Sequence, residues 1–447
     1  MYAYRHHSFH GPRPLSQELV GGWLGITQEQ LSRTENGSAM RNLDTLIRWA
    51  QALRIPASYL WFAVPGQPKD VSALIVGERS SANGCQNGVV LPDRRLLAVT
   101  WTPESTASLL EMVTDDGLEL TPSLAVRLAH EWLVTEPPQL VEVAAGRQIG
   151  RELIGKVERR VEQLRHMDDF IGGHDLYELV DKELCATVCL LKEAAYSEAL
   201  GKRLLAAVAD LCQLAGWVAA DAGLHATAER CYVSGIHAAH AADDAPLVGN
   251  IISWLSYLYS YAGNPHEAVL LAQTAFAGAR HCASAKAKAR FQQPIAWAHA
   301  LAGETIQAER ALGQAEQFYE QRNPADDPYW VYWLSRGEID AFASVCYIEL
   351  RQPSRAEPLL MRALDRYDEI FAREVSFYTG WLAECYVQTE DIDEAARQAS
   401  RTLVLARRVN SARATARVSL IRRRLRPYRH VQAVAEFEEL WRQTENE

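Results

Sequence analysis

From Thr102-Pro103 to the C-terminus apolar residues recur at helical spacing, and helices almost alone are predicted. Thr102-Pro103 and Thr121-Pro122 each read as a helix start, a capping hydroxyl followed by proline in the first turn. GKVERRVEQLRHMDDF, within 139–170, reads as a charged amphipathic helix. Upstream, residues 15–42 (LSQELVGGWLGITQEQLSRTENGSAMRN) carry two short helical patterns, Ser16 to Leu24 and Thr27 to Glu35. Gly25-Ile26 breaks them and Asn36-Gly37 closes the second, the grammar of a helix-turn-helix. Between the two regions, Pro65, Gly66, Pro68 and the polar run GERSSANGCQNG cannot pack a core, which predicts a hinge at 77–88. The expected organisation is all-α: a helix-turn-helix head over 1–65, a linker over 66–100, a helical connector over 101–170 and a helical solenoid over 171–447.

The solenoid expectation rests on self-similarity beyond residue 200. Aligned at their turns, five segments place Ala228, Ala268, Ala308, Ala356 and Ala395 in one column. A column before the turn reads Gly216, Ser256, Ala296, Ser344, Ala383; one after it reads Gly235, Ala275, Ala315, Ala363, Thr402. Small residues at these places let two antiparallel helices approach closely. The alanines stand 40, 40, 48 and 39 residues apart, which predicts long helices and one insertion. A degenerate sixth unit from about Ala412 to Trp441 is expected to cap the stack.

In the head, Thr27 and Gln30 fit a capping box, giving the second helix a defined start. Ile26, Leu31 and Thr34 fall on one side of it; Gln28, Glu29, Ser32 and Arg33 fall on the other. Gln, Glu and Arg carry the donors and acceptors that match adenine, cytosine and guanine edges in a major groove. Gly22 in mid-helix costs about 1 kcal/mol relative to Ala. Gly11, Pro12 and Pro14 limit any preceding helix to Met1 to about Ser8.

The residues Ser16, Gln17, Val20, Gly21, Leu24, Gly25, Ile26, Thr27, Leu31, Ser32, Glu35, Asn36 and Gly37 resemble, without insertion, the pattern of the Cro/repressor-type (XRE) helix-turn-helix family. The resemblance implies that Gln17 holds a phosphate, that Gln28, Glu29 and Arg33 face bases, and that Asn36 and Arg41 touch the backbone of double-stranded DNA. Thr27 and Ser32 complete the DNA-binding set it implies. It also implies a preceding helix whose Arg pairs with Glu35; this chain offers Arg5, on a helix that looks cut short. The three small-residue columns, with Tyr259, Tyr347 and Tyr386, resemble the tetratricopeptide repeat. Together the modules are similar to actinomycete regulators in which repeats control a DNA-binding head, implying a homodimer and a peptide, small-molecule or protein ligand in the repeat groove.

Charge refines this picture. The whole chain carries −10, yet residues 1–65 hold six Arg and four acids, +2, leaving −12 for the remainder. A head so mildly basic holds DNA weakly alone, and two copies on a two-part site are the expected remedy. Eight cysteines without regular spacing and no apolar leader argue for a cytoplasmic chain with reduced thiols. No apolar run approaches membrane-spanning length, so no membrane partner is expected.

Candidate chemistry adds little. His6, His7 and His10, or Cys185 with Cys189, lack a complete metal-ligand set, and His266-Glu267 lacks the second histidine of a zinc-protease helix. No cofactor and no enzymatic activity are expected. Tyr329, Trp330, Tyr332 and Trp333 crowd the insertion, where they either line a ligand groove or fill the gap between lengthened helices. Eleven arginines and no acid lie between Arg397 and Arg429, either a solvated end face or a surface for DNA phosphate, an acidic partner or the solenoid's own acidic flank. The competing reading is a repeat scaffold whose head no longer binds DNA.

Overall fold

A computed structural model describes residue 5 and residues 15–36, 43–53, 100–101, 103–114, 122–140, 147–170, 173–368, 371–409 and 411–445. Arg41, the three N-terminal histidines and the hinge at 77–88 lie outside the described residues.

The chain is all-α, with nineteen α-helices among the described residues. They are α1 (Gln17–Leu24), α2 (Gln28–Asn36), α3 (Leu43–Ala52), α4 (Pro103–Thr114), α5 (Pro122–Val134), α6 (Arg151–Met167) and α7 (Gly173–Glu193). Then come five helix pairs and a final two helices: α8 (Glu198–Asp221) with α9 (His225–Ala241), α10 (Ala245–Tyr261) with α11 (Pro265–Ala279), and α12 (Ala285–Leu301) with α13 (Thr305–Glu320). The series ends with α14 (Arg336–Glu349) and α15 (Pro353–Leu364), α16 (Ala372–Gln388) and α17 (Ile392–Arg408), and then α18 (Ala412–Leu425) and α19 (Gln432–Glu445), which both pack on α17 and meet through Arg422 and Glu438. Among the described residues strands are limited to two short parallel pairs: β1 (Thr100–Trp101) with β2 (Gln139–Leu140), and β3 (Arg147–Gln148) with β4 (Ala194–Ala195).

Two compact units form. The first comprises Met1–Val99 and Thr121–Pro138, the second Thr100–Leu120 and Gln139–Glu447. Residues 101–170 therefore do not stand apart as one connector: α5 clusters with the first unit, α4 and α6 with the second. In the second unit each helix pair is one of the repeats seen in the sequence, and α18 and α19 stand where the degenerate sixth unit is expected.

The column alanines, 228, 268, 308, 356 and 395, are all 0% exposed. At the first flanking column Ser256 turns its hydroxyl onto the Ala268 carbonyl at 2.7 Å, so even its polar atom is spent inside the pair. A Cβ on Gly216 would stand 2.5 Å from the Tyr232 ring, and one on Gly235 would stand 3.0 Å from the Cys212 Cβ. The first five helix pairs turn the same way. Gly223, Gly263, Gly303, Arg351 and Glu390, five residues before each column alanine, are left-handed, with φ of 84, 85, 74, 58 and 63°. The next N–H closes each turn onto a carbonyl five residues back, as from Asn264 to Tyr259 at 2.9 Å and from Asp391 to Tyr386 at 3.0 Å.

The second unit coils until its ends meet. Asp168, just past α6, accepts two hydrogen bonds from Arg373 on α16 at 2.7 and 3.0 Å and one from the Trp217 indole on α8 at 2.9 Å. Asp221, closing α8, accepts from Ser411 at the start of α18 at 2.9 Å and lies 3.3 Å from Arg413. One sequence expectation needs correction here. Helix α8 is long and apolar enough to span a bilayer, with mean hydropathy 1.4 over 18 residues, but 83% of that stretch is buried among its neighbours. Its apolarity is the core of the first helix pair.

Left-handed backbone costs an ordinary residue about 1 kcal/mol more than glycine, so Glu390→Gly should raise stability by up to about 1 kcal/mol. Gly216→Ala should lower it by about 1–3 kcal/mol through overpacking on Tyr232. Chemical denaturation of the two variants is the check; equal midpoints would contradict the close-packing account.

Candidate nucleic-acid interface and solenoid centre

Both helices of the head are capped as the sequence requires. The Ser16 hydroxyl accepts from Leu19 N–H at 3.1 Å, and Gly25 closes α1 at φ 68°. A Cβ on Gly21 would stand 2.8 Å from the Ile26 carbonyl, so the turn closes only over glycine there; Gly22 meets nothing within 4 Å. Thr27 and Gln30 form the capping box reciprocally, at 2.9 and 3.2 Å. Val20 and Leu31, both 0% exposed, pack with Leu53, Leu15, Leu24 and Ile26.

One ionic knot orients α2. Arg5 donates to both Glu35 oxygens at 2.8 and 2.9 Å, and Gln17 donates to the same carboxylate at 2.7 Å. Arg5 also donates to the Leu15 carbonyl and receives the Leu15 N–H at 2.9 Å, so Arg5 is pinned both to Leu15 before α1 and to Glu35 on α2. Burial pushes the Glu35 carboxyl up, but the Arg5 and Gln17 hydrogen bonds outweigh it and hold its pKa below the ordinary 4.5.

With α2 fixed, Thr27, Gln28, Glu29 and Arg33 are exposed and Ser32 is half-buried. Arg33 and Glu29 pair across one turn with both side chains 76% exposed, a contact worth a few tenths of a kcal/mol and easily exchanged for a base. Asn36 donates to the Ser32 carbonyl at 2.9 Å. Gln17, expected on phosphate, has its amide turned onto Glu35. The face thus brings together Gln28, Glu29, Ser32 and Arg33.

The aromatic insertion fills rather than lines a groove. Trp330 is 3% exposed and stacks toward Phe291, ring centroids 6.4 Å apart. Tyr332 donates to Asp169 at 2.8 Å and Tyr329 to Asp210, so the insertion is tied to the end of α6 and to α8. The Trp333 indole donates to the Trp330 carbonyl at 3.1 Å, and its ring lies 5.9 Å from Trp254. A cavity beside these rings, lined by Trp217, Asp221, Tyr257, Tyr261 and Arg413 among others, measures about 20 Å³, room for one water rather than a ligand body.

Acids at this centre have partners. Asp168 has Arg373 and Trp217, Asp210 has Arg165 at 3.1 Å, and Glu338 accepts from Tyr378 at 2.5 Å and from Tyr367. Burial lifts the Asp210 carboxyl to about 7 in spite of Arg165. Arg290 differs. It is 2% exposed and lies 4.3 Å over Trp254 and 5.5 Å from Trp333, with no hydrogen bond or ion pair among the described residues. Burial pulls its guanidinium down to about 10. Burying a charge costs several kcal/mol, whereas each cation–π contact returns about 0.5–2 kcal/mol. Sequence reasoning missed Arg290 because an arginine in AKAKARFQQP reads as solvated surface.

Among the described residues no cluster of metal-ligating side chains forms, and Cys185 and Cys189 are free thiols. No protein-family model matches the chain, and no curated protein matches it.

Two outcomes follow from these contacts. A carboxyl held below its ordinary pKa adds stability above about pH 4.5 and loses it as pH falls through the lower folded value. Hydrogen exchange in residues 15–36 should therefore show easier opening in acid, while Arg5→Met should cost about 3–5 kcal/mol at neutral pH and remove that acid sensitivity. Trp330→Ala should cost the second unit about 3–5 kcal/mol and Tyr329→Phe far less, as thermal melts will read; equal effects would contradict the filling role of Trp330.

Proposed function

We propose that this chain is a sequence-specific, DNA-binding transcription regulator of the Cro/repressor helix-turn-helix type, with a tetratricopeptide-like solenoid that receives a ligand or protein partner and joins two copies. The observation that carries the reading is α2 itself. Its apolar side is locked by Leu31, its start is capped by Thr27 and Gln30, and its orientation is fixed by Arg5, Gln17 and Glu35. That leaves Gln28, Glu29 and Arg33 outward on a rigid element, the arrangement a major-groove reader needs. The mild +2 charge of residues 1–65 supports a homodimer on a two-part operator. A cytoplasmic location and the absence of enzymatic chemistry belong to the same proposal.

A repeat scaffold with a silent head draws on a different observation: Glu29 and Arg33 satisfy each other, and Gln17 is turned onto Glu35. Gel shifts on fragments selected from a random pool separate the two. Gln28→Ala and Arg33→Ala should each cost about 1–3 kcal/mol at the selected site and relax base preference, whereas Asn36→Ala should weaken all sequences alike. Unchanged specific binding in both base-facing variants would remove α2 as the reader, and no binding by the full chain would favour the scaffold.

A further inference from the structure

The repeat alignment holds one more column, eighteen residues before each column alanine: Asp210, Asn250, Arg290, Glu338 and Phe377. Four of these five are polar, on the helices α8, α10, α12 and α14 that face the solenoid centre. Asp210 and Glu338 have protein donors, as described above. Asn250 and Arg290 lack acceptors: Asn250 Nδ2 and Arg290 Nε are buried with no hydrogen-bond partner, and so are Gln293 Nε2 and Trp297 Nε1 on α12. At helical spacing Arg290, Gln293 and Trp297 share a face of α12, and Asn250, Trp254 and Tyr257 share one of α10. The 4.3 Å contact of Arg290 with Trp254 and the 4.8 Å contact of Tyr257 with Trp297 set these two faces against each other.

Every unsatisfied group in this set is an N–H donor, and one is a buried cation. What these donors lack is an acceptor: Glu338, the carboxylate that acts on Arg290, is taken by the Tyr367 and Tyr378 hydroxyls. The geometry points to an oxyanion-binding site at Arg290, taking a small molecule whose carboxylate or phosphate meets the guanidinium and whose planar apolar body replaces Trp333 against Trp254. A guanidinium presents paired donors that match either group. Trp333 is the wall that would move: it is half-buried, whereas Trp330, Val331 and Leu334 beside it stay buried and Tyr332, Tyr329 and Asp327 hold the 321–335 insertion to Asp169, Asp210 and Lys286. This deepens the ligand half of the function proposed above and is independent of DNA reading.

The test is calorimetric melting of the full chain, without DNA, in sodium benzoate, sodium phosphate or sodium chloride at matched ionic strength. Benzoate or phosphate, whichever source the site accepts, should raise the transition by about 2–4 °C over chloride. Arg290→Met should abolish that rise and melt no lower than wild type in chloride, because it removes a buried charge that no acceptor hydrogen-bonds. Arg290→Lys, which keeps the charge but not the fork, should need about tenfold more anion for the same rise, and it serves if the methionine variant does not fold. No anion-specific rise in wild type, an undiminished rise in either variant, or a lower melting temperature of Arg290→Met in chloride would overturn the assignment.

Discussion

Close approach of paired helices over residues too small to hold them apart is the constraint on which the second unit depends. Ala228 and its four counterparts are fully buried, and Gly216 is filled from outside by the Tyr232 ring. At that spacing the A helices, α8, α10, α12, α14, α16 and α18, stack side by side, and their inward faces have little room for anything but each other. Aromatic and charged side chains then complete the centre: Trp217, Trp254, Tyr257 and Trp297 form a continuous run of ring contacts at 4.7 to 5.8 Å.

The same packing explains what the sequence could and could not tell. The repeat columns, the capped helices of the head and the final two helices were legible because each depends on residues within one or two turns of one another. Glu35 was recognisable as a residue in need of a cation, and Arg5 meets it. Gln17 was expected on phosphate because its partner within the protein lies 18 residues away on another helix. Contacts closing the second unit were illegible for the same reason: Asp168 and Arg373 are 205 residues apart, and neither RHMDDF nor FAREV carries a local pattern that names its partner. Helix α8 shows the converse. Asp210 interrupts its apolar run when residues are taken singly, yet the average stays apolar because the helix is surrounded by protein.

The two units differ in how polar atoms are used. In the head, charge is spent on orientation: the Arg5, Gln17 and Glu35 cluster fixes α2 beside the buried Val20, Leu31 and Leu53. In the solenoid, charge is buried at the centre, where each carboxylate costs desolvation and is offset by specific donors. Arg290 stands outside that balance: it is buried with no hydrogen bond or ion pair among the described residues, only the faces of Trp254 and Trp333.

A linear stack of repeats has two ends, and such stacks unravel from their ends because a terminal repeat touches one neighbour rather than two. The contacts of Asp168 with Arg373 and of Asp221 with Ser411 give the first helices of this stack a second neighbour at its far end. Opening then no longer begins at a loose terminus and proceeds inward. It requires the closure to part first, so the interior repeats share a single gate, and folding finishes with the longest loop in the unit rather than with its last helix.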